Sequence, residues 1–137
     1  MNRWLLLGVL IFNAGSAIGG GLALMTGWIP AQPAWVEHTD FAGLYFPGVI
    51  LMAIVGGSAL VAALAVAVHA PAWQLASLLS AVVMLIWIVG EVASIRAVHW
   101  LQAVYVVTPA LVVWWTTRRT EPAVPPAVPV PRLPTHR

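Results

Sequence analysis

The stretch that decides the fold is "FPGVILMAIVGGSALVAALAVAV", residues 46–68. It is apolar throughout and carries no charge. It is also long: a helix needs about 20 predominantly apolar residues to cross the hydrocarbon layer of a membrane. Its alanine and leucine content and its lack of two-residue alternation predict a helix rather than a strand. Reading outward, three more such runs appear, and the expected spans are about residues 4–28, 46–68, 72–95 and 98–117. The fourth, built around "WLQAVYVVTPALVVWW", reaches full length only when extended at both ends.

Composition agrees. Hydrophobic residues make up 61% of the 137, and charged residues 7%. A soluble domain carries about 25% charged residues. So few charges leave nothing to cover a water-facing surface, which predicts a membrane protein. There are no cysteines, which excludes thiol catalysis, disulfides, iron–sulfur clusters and thiolate zinc sites.

Tryptophan prefers the membrane–water interface. Trp4, Trp28, Trp73, Trp100, Trp114 and Trp115 all fall near the ends of the four runs. Connections such as "HAPA" and "RAVH" are short and force neighbouring helices to run in opposite directions. The expected fold is therefore an all-α, up-down-up-down bundle of four transmembrane helices in residues 1–117. The tail, residues 118–137, holds six prolines. It is expected to be extended or disordered, since proline removes the backbone donor a helix needs.

Orientation follows the arginines. Arg3 precedes the first run, and Arg118 and Arg119 follow the fourth; Arg96 stands alone on the other side. The excess of basic residues marks the cytoplasmic side, so both termini are expected in the cytoplasm. The first run continues through Leu24 and Met25 without a small-residue cleavage site, so it reads as a retained helix rather than a leader.

Between lipid-facing helices, association depends on close packing and a few polar bonds. Asn13, Ser16, Ala17 and Gly20 on the first helix, with Gly15 and Gly19, form small-residue faces; on the second, Ala53 and Gly57 lead into Ala59, Ala63 and Ala67. Gly19, Gly20, Gly56 and Gly57 are expected to mediate close contact.

Chemistry concentrates in "LIWIVGEVASIRAVHW", residues 85–100. Ser77, Ser80, Met84, Trp87, Glu91 and Ser94 recur at steps of three and four, which places them on one helical face. That face should point inward, toward Asn13 and Ser16 on the first helix and Gln102 and Tyr105 on the fourth. Glu91 lies four residues before Ile95, about 6 Å below that helix end. It is expected to be a hydrogen-bonded anchor holding the third helix against the first and fourth. A ligand contact or a proton carrier are the alternatives, because ionisable residues inside membranes are functional by default. Glu91, Trp87, Gln102, Tyr105 and Asn13 form the candidate ligand set. No catalytic residue, metal ligand or cofactor is assigned; a metal site from Glu37, His38, Asp40 and His99 at the outer mouth is the minor alternative. No phosphate loop or nucleic-acid stripe is present.

The strings "FPGVILMAIVGGSALVAALAV", "LIWIVGEV" and "LQAVY" resemble small four-helix membrane proteins of bacteria that are loosely DoxX-like. The likeness covers roughly residues 4–115 and lies in helix count and glycine placement. It implies a bacterial inner membrane and an accessory subunit of a respiratory or redox assembly. The expected function is a non-catalytic accessory or scaffold component. Its expected partners are the lipid bilayer and either another membrane protein or a second copy of the chain, with no nucleic acid. A binder or transporter of small or lipid-like molecules with a site near Glu91 is the second expectation. A redox subunit holding quinone or haem is the third.

Overall fold

The computed structural model describes residues 3–30, 37, 40–95 and 100–118. The described chain is helical, with no strand among the described residues. Four helices follow one another: α1, Arg3–Thr26; α2, Tyr45–Ala67; α3, Trp73–Ile95; and α4, Trp100–Thr117. The first three are long and apolar enough to cross a membrane, which marks the chain as a membrane protein. In α4, Gln102, Tyr105, Pro109 and the flanking tryptophans and threonines dilute the apolar run. The proline-rich tail from residue 119 lies outside the described residues.

α1 ends two residues sooner than its apolar run suggests. Gly27 takes a φ of +72°, which stops the helix at Thr26 and turns Trp28 outward. A residue without Cβ enters that left-handed conformation freely. Hydropathy does not see this stop, because Gly27, Trp28 and Ile29 continue the apolar composition.

α2 contains a second irregularity. Its middle, Leu51–Gly56, is π-helical between two α-helical segments, Tyr45–Ile50 and Gly57–Ala67. A π turn closes i→i+5 bonds and holds more residues than an α turn. Positions four apart therefore line up more closely than in an α-helix, where they drift around the axis. Gly48, Met52 and Gly56 are spaced this way, and all three meet α1.

α1 packs along α2 over the length of both; α3 packs against α2 and α4, and α4 also touches α1. Two apolar layers fill the interior. One holds Leu6, Leu10, Ala62, Ala63, Val66, Ala81 and Val112. The other holds Ala17, Val55 and Met84, with Leu51, Trp87 and Tyr105 against them. Large apolar side chains such as Leu5, Ile11, Val61, Leu79, Ile86 and Val107 point outward. A water-soluble bundle hides such residues, whereas lipid accommodates them.

The glycine contacts correct the sequence reading. A Cβ on Gly21 would fall 2.5 Å from the Gly48 carbonyl oxygen, and one on Gly48 would fall 2.7 Å from that of Gly21. One on Gly56 would lie 2.7 Å from Ile18 Cγ1. Gly21, Gly48 and Gly56 thus form the seam between α1 and α2. Gly20 sits looser, with Leu51 at 3.5 Å. Gly19 and Gly57, expected in the contact, have nothing within 4 Å. Ala59, Ala62 and Ala63 are buried as part of the same packing, while Ala53 and Ala67 are exposed. The π turn explains part of the difference, because it rotates which residues of α2 face α1.

Candidate functional site

The α3 face read from the sequence is present. Ser77, Ser80 and Met84 are buried; Trp87, Glu91 and Ser94 are half-buried. The inward serine does not cross to another helix. Ser77 donates to the Trp73 carbonyl at 2.8 Å, and Ser94 donates to that of Gly90 at 2.8 Å. The hydroxyls of Ser16, Thr26, Ser58, Thr116 and Thr117 likewise return to their own helices. In lipid this is the readiest partner for a hydroxyl, because the carbonyl one turn earlier is always in reach.

Glu91 follows the same pattern. Its Oε2 accepts a hydrogen bond from Trp87 Nε1 at 3.1 Å, one turn earlier on α3. The expected bonds from Glu91 to Asn13, Ser16, Gln102 or Tyr105 are replaced by this bond within the helix. Indole is a donor only and a carboxylate an acceptor, so the bond satisfies the indole and gives Glu91 a partner without a second helix. Arg96 and His99, the basic residues nearest in sequence, lie outside the described residues.

The remaining members of the ligand set divide. Tyr105 joins Trp87 against the Ala17, Val55 and Met84 cluster and stacks on Phe12 with ring centroids 6.3 Å apart. Gln102 is buried one turn away on α4. Asn13 stands apart: it falls between Leu10 in one apolar layer and Ala17 in the other. Glu91 lies seven residues past Met84, beyond the second layer. Trp87, Glu91, Tyr105 and Gln102 therefore belong to one end of the bundle, and Asn13 belongs to its middle. The Asn13 Oδ1 and Thr108 Oγ1 atoms are buried there without a hydrogen-bond partner. Pro109, inside α4, withholds the N–H that would reach the Tyr105 carbonyl.

A site that the sequence reading did not pick out lies at the other end. Arg3 Nε and Nη2 donate to the Val66 carbonyl at 2.9 and 2.6 Å, and Nη2 also reaches the Ala67 carbonyl. Arg3 Nη1 contacts His69 Nε2. The guanidinium caps carbonyls at the C-terminus of α2, where the helix dipole favours a cation. His69 follows that end with a φ of +56°, and Ala70 N–H donates back to the Ala65 carbonyl at 2.9 Å. This is the 6→1 closure of a left-handed helix stop, with histidine where glycine is usual. An arginine one residue before a transmembrane run was a visible signal; its partner 63 residues away was not.

Among the described residues no three His, Cys, Asp or Glu side chains converge as metal ligands would. His38 and His99, the histidines of the outer metal alternative, lie outside the described residues. No protein-family model, curated protein or solved structure matches this chain.

Proposed function

We propose that this chain is a small multi-pass protein of a bacterial inner membrane that serves as a non-catalytic accessory or scaffold component of a larger assembly. In this reading it is an up-down-up-down bundle of four transmembrane helices with both termini in the cytoplasm. The alternation is supported by the two apolar layers. α1 and α3 contribute their earlier residues to the Leu6–Leu10 layer, whereas α2 and α4 contribute their later ones. The loose sequence resemblance to DoxX-like proteins implies the same accessory role.

One observation carries the scaffold reading. The outward face of α1 presents Gly8, Gly15 and Gly19, each with nothing within 4 Å of where a side chain would stand. Exposed Ile11, Phe12 and Leu22 flank them. Such a groove lets a second transmembrane helix approach backbone to backbone, and small residues four apart favour that approach. The internal seam uses other glycines, so this face is spare. The tagged full-length protein, purified from its membrane in mild detergent, should carry a stoichiometric membrane protein or a second copy of itself. The double substitution Gly15→Leu and Gly19→Leu should release that partner and leave the bundle folded. An unchanged partner yield in the double variant would refute the reading.

The half-buried Trp87–Glu91 pair supports a second reading, a binder of small or lipid-like molecules at that end. Glu91→Gln would then lower ligand retention while the partner complex survives.

A further inference from the structure

We infer that the notch between the start of α1, the end of α2 and the start of α3 binds the phosphate of an anionic phospholipid. Arg3, Leu6, Val66, His69 and Trp73 line a cavity of about 80 Å³ there. That volume has room for several water molecules or one phosphate group. The lining has two characters. Leu6 and Val66 form an apolar floor continuous with the bundle core. Arg3 and His69 form a polar rim.

The rim keeps donors to spare. A guanidinium has five N–H groups. Four are taken, by two bonds to the Val66 carbonyl, one to that of Ala67 and one to His69 Nε2, which leaves one on Nη1. Arginine only donates, so a hydrogen bond between Arg3 and His69 requires the tautomer in which Nε2 accepts, and that tautomer offers Nδ1–H as a second donor. Two N–H donors and a fixed positive charge suit a phosphate oxygen pair.

Charge complementarity selects the occupant. The described carboxylates are Glu37, Asp40 and Glu91. Glu37 and Asp40 lie in the connection between α1 and α2, and Glu91 lies beyond the second apolar layer, all away from Arg3. The Arg3 end also carries Arg118, directly after α4, whose last turns pack on the Leu6–Leu10 layer. Each arginine sits against an indole: Arg3 Cζ is 5.9 Å from the Trp4 ring centroid, and Arg118 Cζ is 4.1 Å from that of Trp114. Cation plus indole at a helix end is the chemistry of the headgroup region. Two cations without a described carboxylate attract anionic headgroups there. A lipid phosphate would enter the notch with its acyl chains running down the exposed apolar flank.

The test uses the full chain, stripped of lipid in detergent, with native mass spectrometry as the readout. Phosphatidylglycerol and phosphatidylcholine of matched chains are titrated in parallel. The wild type should retain phosphatidylglycerol at least tenfold better. Arg3→Gln and His69→Leu should each reduce that preference several-fold, whereas Arg118→Gln should leave most of it. Excess inorganic phosphate should not displace the lipid. Equal retention of the two lipids by the wild type overturns the inference, and that arm depends on no variant folding. An undiminished preference in both notch variants also overturns it. Displacement by inorganic phosphate would show a site for the free ion and overturn the lipid assignment.

Discussion

Glu91 is bonded to its own helix, and this changes what the residue does for stability. A carboxylate shared between helices would hold the bundle together. One held by Trp87 Nε1 at 3.1 Å fixes the indole instead. Glu91→Gln keeps an acceptor in the same place and should leave the unfolding midpoint in detergent unchanged. Glu91→Leu loses one half-buried hydrogen bond and should cost about 0.5 kcal/mol, near the average for polar contacts in membrane bundles. Its clearer signature is optical: the Trp87 emission should shift to shorter wavelength in the Leu variant and stay put in the Gln variant. A loss of more than about 2 kcal/mol, the upper end for such bonds, would restore the anchor between helices. Periodicity correctly put Ser77, Ser80, Met84, Trp87, Glu91 and Ser94 on one face. It did not reveal their partners, because a serine or glutamate on an inward face can bond one turn back as easily as across.

At the scale of the element, the seam between α1 and α2 rests on Gly21, Gly48 and Gly56. Gly21→Ala drives a methyl into the Gly48 carbonyl and Met52, where both backbones must shift. Overpacking of this kind costs about 1–3 kcal/mol. Gly57→Ala meets nothing within 4 Å. It should be neutral or slightly stabilising, because alanine is the better helix former. Thermal unfolding of the two variants in one detergent checks this, and equal midpoints would remove the seam from the account. The four apolar segments were legible because composition alone encodes them. The seam was not, for two reasons. Glycines crowd both faces of α1, so spacing cannot choose among Gly15, Gly19, Gly20 and Gly21. The π turn over Leu51–Gly56 then resets the register of α2, and no local feature of "LMAIVG" announces it.

α4 raises the remaining question at this scale. It is 18 residues long and holds Pro109 where it lines the core. A proline inside a helix removes one backbone bond and bends the axis. α3 and α1 both pack on α4, and in the proposed four-crossing bundle the freed Tyr105 carbonyl needs cover from protein rather than lipid. Pro109→Ala should straighten α4 and restore the bond to Tyr105, which would move Tyr105 relative to Phe12. Loss of the Phe12–Tyr105 stack, read as a change in tyrosine emission in the variant, is the expected outcome; an identical spectrum would mean that the proline does not set the position of Tyr105.

For the whole molecule, the number of helices that cross the membrane decides the arrangement. α1, α2 and α3 have the length and apolarity to do so. The proposed bundle adds α4 as the fourth crossing, which returns the chain to the side where it began and gathers Arg3 and Arg118 at one surface. Both the accessory role and the lipid notch are laid out on that arrangement. The parity of crossings is measurable directly, by fusing a phosphatase reporter that works only outside the cytoplasm after residue 38 and, separately, after residue 120. Four crossings with cytoplasmic termini predict activity at 38 and none at 120. Activity at both positions would mean that α4 does not cross, and activity at 120 alone would mean that the whole bundle is inverted.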